Sequence, residues 1–194
     1  AIPYTQQGSG GASMTNIAFR LLLTFNATSL LLIIFTVHKG VVLGDLFSEY
    51  DWLLRLPNIA SYLIYLLVPI LLTWLSLLLS IFLGKDDFKQ GEIKSIEHAN
   101  NSFLPSYLGY FFVALSINNW ETLWVVYTVL FTFTFLSQAL YFNPLFLIFR
   151  YEFYNIKTKN GTAIFLISAH QYKSPGEVSI PKAYRINNYT FIER

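Results

Sequence analysis

The chain has 194 residues, of which 54% are hydrophobic and 18% aromatic, while only 12% are charged, against roughly 25% in an ordinary soluble domain. That composition argues for a membrane protein. The absence of cysteine excludes disulfides, thiol catalysis and thiolate metal sites, and a net charge of +2 is too small for a chain that binds nucleic acid along its length.

Residues 1–13 carry no apolar periodicity and run through a Gly/Ser stretch up to Met14, the single methionine. Met14 is read as the natural start and the preceding segment as an added linker outside the fold. Runs free of Asp, Glu, Lys and Arg then follow at 21–37, 59–83, 103–120 and 122–149. Each meets or nearly meets the roughly 18–20 residues a bilayer core requires. Because Arg20 lies close enough to a helix end to reach the headgroups, the first span is extended back, and four transmembrane helices are predicted over about 17–37, 59–83, 103–120 and 122–149. Asn118, Asn119, Trp120 and Glu121 predict a tight hairpin between the last two, and Asn143-Pro144 predicts a stop or kink in the fourth.

Between the first two runs, Leu43, Leu46, Phe47, Tyr50, Leu53 and Leu54 recur at helical spacing, with Asp45, Ser48, Glu49, Asp51 and Arg55 among them. This predicts one amphipathic helix at the outer membrane boundary, carrying Leu46, Phe47, Tyr50, Leu53 and Leu54 on its apolar face. Such a helix either is held down by apolar burial alone or senses disturbance at that surface. In the second run Tyr62, Tyr65, Pro69, Thr73, Ser76 and Ser80 fall on one stripe, which predicts a helix-packing seam, since small hydroxyl residues permit close approach and interhelical hydrogen bonds. Tyr127, Phe131, Thr134, Gln138 and Tyr141 make a similar face in the fourth run. No ionisable residue sits in the middle of a span, which weighs against a proton-driven transporter.

His38, His98 and His170 are far apart in sequence, and Glu92, Glu97 and His98 read as a solvated charged loop rather than as metal ligands. No phosphate-cradling glycine loop, nucleophile turn or metalloprotease helix occurs, so no catalytic residue, cofactor site or metal site is assigned. From Arg150 the pattern changes to β-formers: 151–157, a turn at Asn160-Gly161, 162–169, then shorter runs at 184–186 and 189–192. A lone tail of this size buries too little surface to be stable by itself. Its apolar strand residues Tyr151, Phe153, Phe165 and Ile167 are therefore the candidate partner interface, to be covered by copies of the tail, by the inner loop, or by another protein.

The predicted architecture is thus an all-α membrane protein: a linker (1–13), a four-helix transmembrane domain with an outer interfacial helix (14–149) and a small cytosolic β tail (150–194). Every Lys and Arg except Lys39 and Arg55 falls on the side of the two termini, which predicts cytosolic N- and C-termini. The function classes left open are a non-enzymatic sensor or scaffold that signals through its tail and a small pore-forming protein.

The stretches SIEHANNSFLPSYLGYFFVALS (95–116) and NPLFLIFRYEFYNIKTKNGTAIFLIS (143–168) resemble the KwaA family, the small membrane component of the bacterial Kiwa anti-phage defence system. The resemblance implies a homo-oligomeric inner-membrane sensor of phage infection, surrounded by membrane lipid. It also implies a cytosolic, DNA-binding effector of the KwaB type as partner, with no direct nucleic-acid contact by this chain.

Overall fold

The computed structural model describes residues 11–100, 104–137 and 143–194. Its elements run in chain order as α1 (Gly11–His38), α2 (Leu43–Leu46), α3 (Asp51–Leu54), α4 (Asn58–Leu79) with a 3-10 turn at Ser80–Phe82, β1 (Gly84–Phe88), β2 (Ile93–His98), α5 (Leu104–Ser116), α6 (Trp120–Ser137), α7 (Leu145–Ile148), β3 (Glu152–Thr158), β4 (Ala163–Ser168), a 3-10 turn at Pro175–Glu177, β5 (Ile180–Arg185) and β6 (Thr190–Glu193).

The all-α, four-span architecture is overturned. The fold is mixed α/β with a six-stranded sheet, and among the described residues three helices are long and apolar enough to cross a membrane: Asn16–His38, Asn58–Phe82 and Trp120–Ser137. The 103–120 run fails because its helix ends at Ser116 and has 13 residues, about 20 Å at 1.5 Å per residue, well short of the ~30 Å hydrocarbon layer. Being apolar does not make a segment helical throughout. Ile117 and Asn118 leave the helix, and the Asn119 side chain caps α6 by accepting the Thr122 N–H at 2.7 Å. The run at 122–149 is likewise not one helix, because α6 ends at Ser137 and α7 is a separate single turn. Gln138 and Tyr141 of the predicted face lie outside the described residues.

The predicted outer amphipathic helix is also corrected: that segment forms two single turns, α2 and α3. A continuous helix would keep these turns apart along one axis, whereas here they fold onto each other. The approach is close at Gly44, where a β-carbon would lie 3.1 Å from Leu54 Cδ2 and 3.2 Å from Leu54 Cα.

By its contacts the chain divides into two compact units. The helical unit comprises Thr24–Leu75 and Asn101–Leu145. Its apolar cluster joins α1, α5 and α6 through Leu31, Phe35, Ala114, Leu123 and Tyr127, with Trp120 edge-on to Phe35 at 4.9 Å. The other face of α6 is bare, with Val125 and Phe133 each 66% exposed, as suits a lipid-facing surface.

The sheet unit comprises Ala1–Leu23, Ser76–Asn100 and Phe146–Arg194. Its strand order is β1-β5-β6-β4-β3-β2; β4 and β6 are parallel and the other neighbours antiparallel. The strands β1 and β2 therefore stand at opposite edges although only Lys89–Glu92 separate them in sequence. Six strands about 4.8 Å apart would set flat edges about 24 Å apart. The connection is a tight turn, Glu92 N donating to Lys89 O at 3.1 Å, which leaves Phe88 and Ile93 within about 15 Å. Only a sheet curled toward a barrel satisfies both. Its interior cluster accordingly holds residues from both edges, Ile93, Ile96 and Phe88, together with Tyr154, Ile156, Leu166, Ile180 and Phe191. The inner loop, read in sequence as solvated and charged, thus supplies the edge strands that the small tail lacked.

Candidate functional site

The seam residues separate into two groups. Thr73, Ser76 and Ser80 are fully buried, Pro69 is buried, and Tyr62 and Tyr65 are half-buried, while Leu63, Leu67 and Leu71 on the opposite side of α4 are exposed. Within the helical unit Thr73 belongs to a knot of polar side chains with Asn26 of α1 and Asn143. In the amide orientation that matches donors to acceptors, Asn26 Nδ2 donates to Pro69 O at 3.1 Å. Its Oδ1 accepts from Thr73 Oγ1 at 2.7 Å, Asn143 Nδ2 at 2.9 Å and the Thr73 N–H at 3.2 Å. The carboxamide is thus spliced into the backbone ladder of α4 between residues 69 and 73, beside a proline that has no N–H of its own to donate. Nearby, Thr28 Oγ1 donates to Tyr127 Oη at 3.2 Å. Sequence reading found Thr73 by its stripe but missed Asn26 and Asn143, because each is a single amide in an apolar run or a turn.

Of the outer-segment residues, Leu53 is buried against its own unit, whereas Leu46, Phe47, Tyr50 and Leu54 are each more than half exposed. Two bonds fix the segment: Leu43 N donates to Ser61 Oγ at 3.2 Å, and Val42 N donates to Asp45 Oδ2 at 3.0 Å. Trp52, 63% exposed, stands beside them. This is an apolar surface with Glu49 and Asp51 interleaved.

Of the four strand residues proposed to face a partner, Phe153, Phe165 and Ile167 are buried within the chain, and only Tyr151 is half-exposed. Phe153 stacks on Phe165 at 5.8 Å and meets Phe146 edge-on at 6.1 Å. The sheet therefore has apolar side chains on both faces, and these residues are already packed.

One polar cluster in the sheet unit was not visible in sequence. Glu152 accepts from Tyr154 Oη at 2.7 Å and Gln171 Nε2 at 2.7 Å, and lies 3.1 Å from His98 Nε2. The buried Glu193 accepts from Ser168 Oγ and Tyr172 Oη, both at 2.7 Å, with His170 Nδ1 at 3.5 Å. Burial by itself would raise the Glu152 carboxyl, but the hydrogen bonds from Tyr154, Gln171 and His98 outweigh it, so its pKa is lowered. Burial and the Glu152 acceptor push Tyr154 up to about 12, and burial with Glu193 raises Tyr172 likewise. Chemically the cluster is a tether: Tyr172 N also donates to Tyr154 Oη at 3.1 Å, so two glutamates and two tyrosines hold the 169–179 connection against the ends of β3 and β6. Beside it lies an open depression of about 420 Å³ lined by His98, Glu152, Gln171 and Lys173. Glu97 and His98 are strand neighbours and so face opposite sides of the sheet. Among the described residues no group of three His, Asp or Glu side chains is placed to hold a metal ion.

Apolar helices sized for a bilayer, joined to a curled sheet built from two separate chain segments, define a mixed α/β protein with candidate membrane spans. A family model for the anti-phage protein KwaA matches residues 19–192, and the chain belongs to that family. No curated protein and no solved structure matches the chain.

Proposed function

We propose that this chain is a non-enzymatic relay in the membrane of an anti-phage defence system of the Kiwa type, sensing at its outer segment and signalling through its sheet to a cytosolic effector. The observation that carries this reading is the origin of the sheet's strands. The strands β1 and β2 precede α5, while β3 to β6 follow α7, yet β2 pairs with β3 from Ile93↔Thr158 to His98↔Tyr154. The chain at 98 and the chain at 152 must then share one side of any bilayer, so α5 and α6 enter and return as a hairpin although α5 by itself falls short of a full span, and a rearrangement of that hairpin pulls on a single hydrogen-bonded sheet. The helices α1 and α4 run across and back, which returns β1 to the side of the N-terminus. The concentration of Lys and Arg on that side supports cytosolic termini.

A KwaB-like effector would read the exposed surface of the sheet unit, since Phe153, Phe165 and Ile167 are packed inside it. We further propose a homo-oligomer in the bacterial inner membrane, with bare faces such as that of α6 available to lipid and to neighbouring copies. The polar knot favours this relay over a pore, because Asn26, Thr73 and Asn143 are buried and spend their hydrogen bonds on one another.

The test pairs two variants with two readouts, co-purification of the effector and protection of cells from phage. Truncation after Phe149 removes β3 to β6 and should abolish co-purification while leaving membrane insertion. Changing Phe47 and Leu54 to Ser should spare co-purification and blunt protection. Normal effector binding by the truncated chain would overturn the output assignment, and full protection by the outer-segment variant the input assignment.

A further inference from the structure

Four described residues adopt a left-handed backbone: Gly40 (φ 69°), Gly91 (φ 88°), Gly161 (φ 86°) and Arg150 (φ 62°). Gly40 and Arg150 occupy the same place in the same helix-ending motif. At the end of α1, Gly40 N donates to Val37 O at 3.0 Å and Val41 N to Thr36 O at 3.2 Å. At the end of α7, Arg150 N donates to Leu147 O at 3.0 Å and Tyr151 N to Phe146 O at 3.1 Å, with the Phe146 and Tyr151 rings in edge contact at 6.4 Å. This is the Schellman arrangement, whose left-handed residue is usually glycine because a β-carbon there crowds the following carbonyl. Arginine makes this turn less stable than glycine would.

Among the described residues nothing offsets that cost. Arg150 is exposed, and no hydrogen bond, ion pair or ring contact holds its guanidinium among the described residues. Its position is distinctive in another way. It is the first charged residue after the charge-free run at 122–149, and Ile148, two residues earlier, is 58% exposed. The guanidinium therefore stands beside exposed apolar surface where the charge-free run ends, which on the bilayer reading is the level of the lipid phosphates. A guanidinium's fixed fork of N–H donors matches phosphate oxygens in pairs.

We propose that Arg150 is an anchor for the phosphate of an anionic lipid headgroup, and that this contact is why arginine occupies a glycine position. The anchor fixes the joint between α7 and β3 at the membrane boundary, so the sheet starts at a set height. It rests on the bilayer reading of the apolar helices.

The experiment uses the full chain in bilayer discs of mixed phosphatidylglycerol and phosphatidylcholine, with retained lipids counted by native mass spectrometry, and thermal stability is measured separately in lipid-free detergent, where the phosphate contact is absent and only the turn is compared. Arg150→Gly should lower phosphatidylglycerol enrichment about fivefold, the ratio that corresponds to the ~1 kcal/mol attraction of one basic residue, while raising the melting temperature by about 2–4 °C. Arg150→Lys should retain most of the enrichment without the thermal gain. Unchanged enrichment in Arg150→Gly overturns the anchor, as would occur if Arg150 instead met an acidic protein partner. A fall in its melting temperature also overturns it, by showing that the side chain is held within the protein. Wild-type chain that retains no lipid would overturn the bilayer reading as well, whereas lipid retained without headgroup preference overturns the anchor alone.

Discussion

The helical unit and the sheet unit are built with opposite polarity. In the helical unit Asn26 and Thr73 are fully buried and Asn143 is nearly so, whereas Leu63, Leu71, Val125 and Phe133 are exposed. In the sheet unit Ile156, Leu166, Val178 and Ile180 fill the interior, and Lys89, Glu92, Lys157 and Lys182 face outward. Each pattern is stable only in its own solvent. Water rewards burying Leu166 and solvating Lys157, while lipid gives no reward for burying a leucine, so helices there associate through packing and hydrogen bonds. The contrast is the one expected of a chain whose helical unit meets lipid and whose sheet unit meets water, and it can be probed from either side.

The largest effect should come from the sheet unit. Phe153→Ala removes a fully buried ring stacked on Phe165 and should cost about 3–5 kcal/mol. Protease resistance of the sheet segment would register it; a cost below about 1 kcal/mol would mean that Phe153 is exposed in the native assembly.

Next is the double change Thr73→Leu and Ser76→Leu, which would be harmless if these positions faced lipid. Both are fully buried, so overpacking at the low end of about 1–3 kcal/mol per site and lost bonds averaging ~0.6 kcal/mol each predict a loss of roughly 3 kcal/mol. Detergent-phase melting would show it, and an unchanged transition would break the claim of a polar interior.

A smaller loss, about 1–3 kcal/mol, should follow Gly44→Ala, because the new methyl group meets the Leu54 backbone at 3.2 Å. Thermal stability equal to wild type would show that α2 and α3 are not packed together.

The smallest effect is conditional on pH. Since hydrogen bonds hold the folded Glu152 carboxyl below its ordinary 4.5, its contribution is present above that value and is lost as pH falls through the lower folded value. Glu152→Gln should therefore be less stable than wild type at pH 7 and converge with it in acid. A gap between the two that persists undiminished at low pH would refute the assignment.

Sequence determined what depends on neighbours along the chain. Charge-free runs named the apolar segments, the stripe through Thr73, Ser76 and Ser80 named one side of α4, and Asn160-Gly161 named the turn between β3 and β4, whose glycine takes a left-handed φ of 86°. Tertiary structure decided the rest. Whether 103–120 is long enough as a helix depended on where Ile117 to Asn119 break it. Whether 84–98 is a loop or two strands depended on partners nearly sixty positions or more away, Tyr154 to Thr158 for β2 and Ile180 to Arg185 for β1. The same holds for Asn26 finding Pro69 and Glu193 finding Tyr172. Periodicity reports the environment of a side chain averaged over its own element, but strand pairing, buried hydrogen bonds and the choice of which apolar residue is covered are set by contacts between segments, and those exist only once the chain has closed on itself.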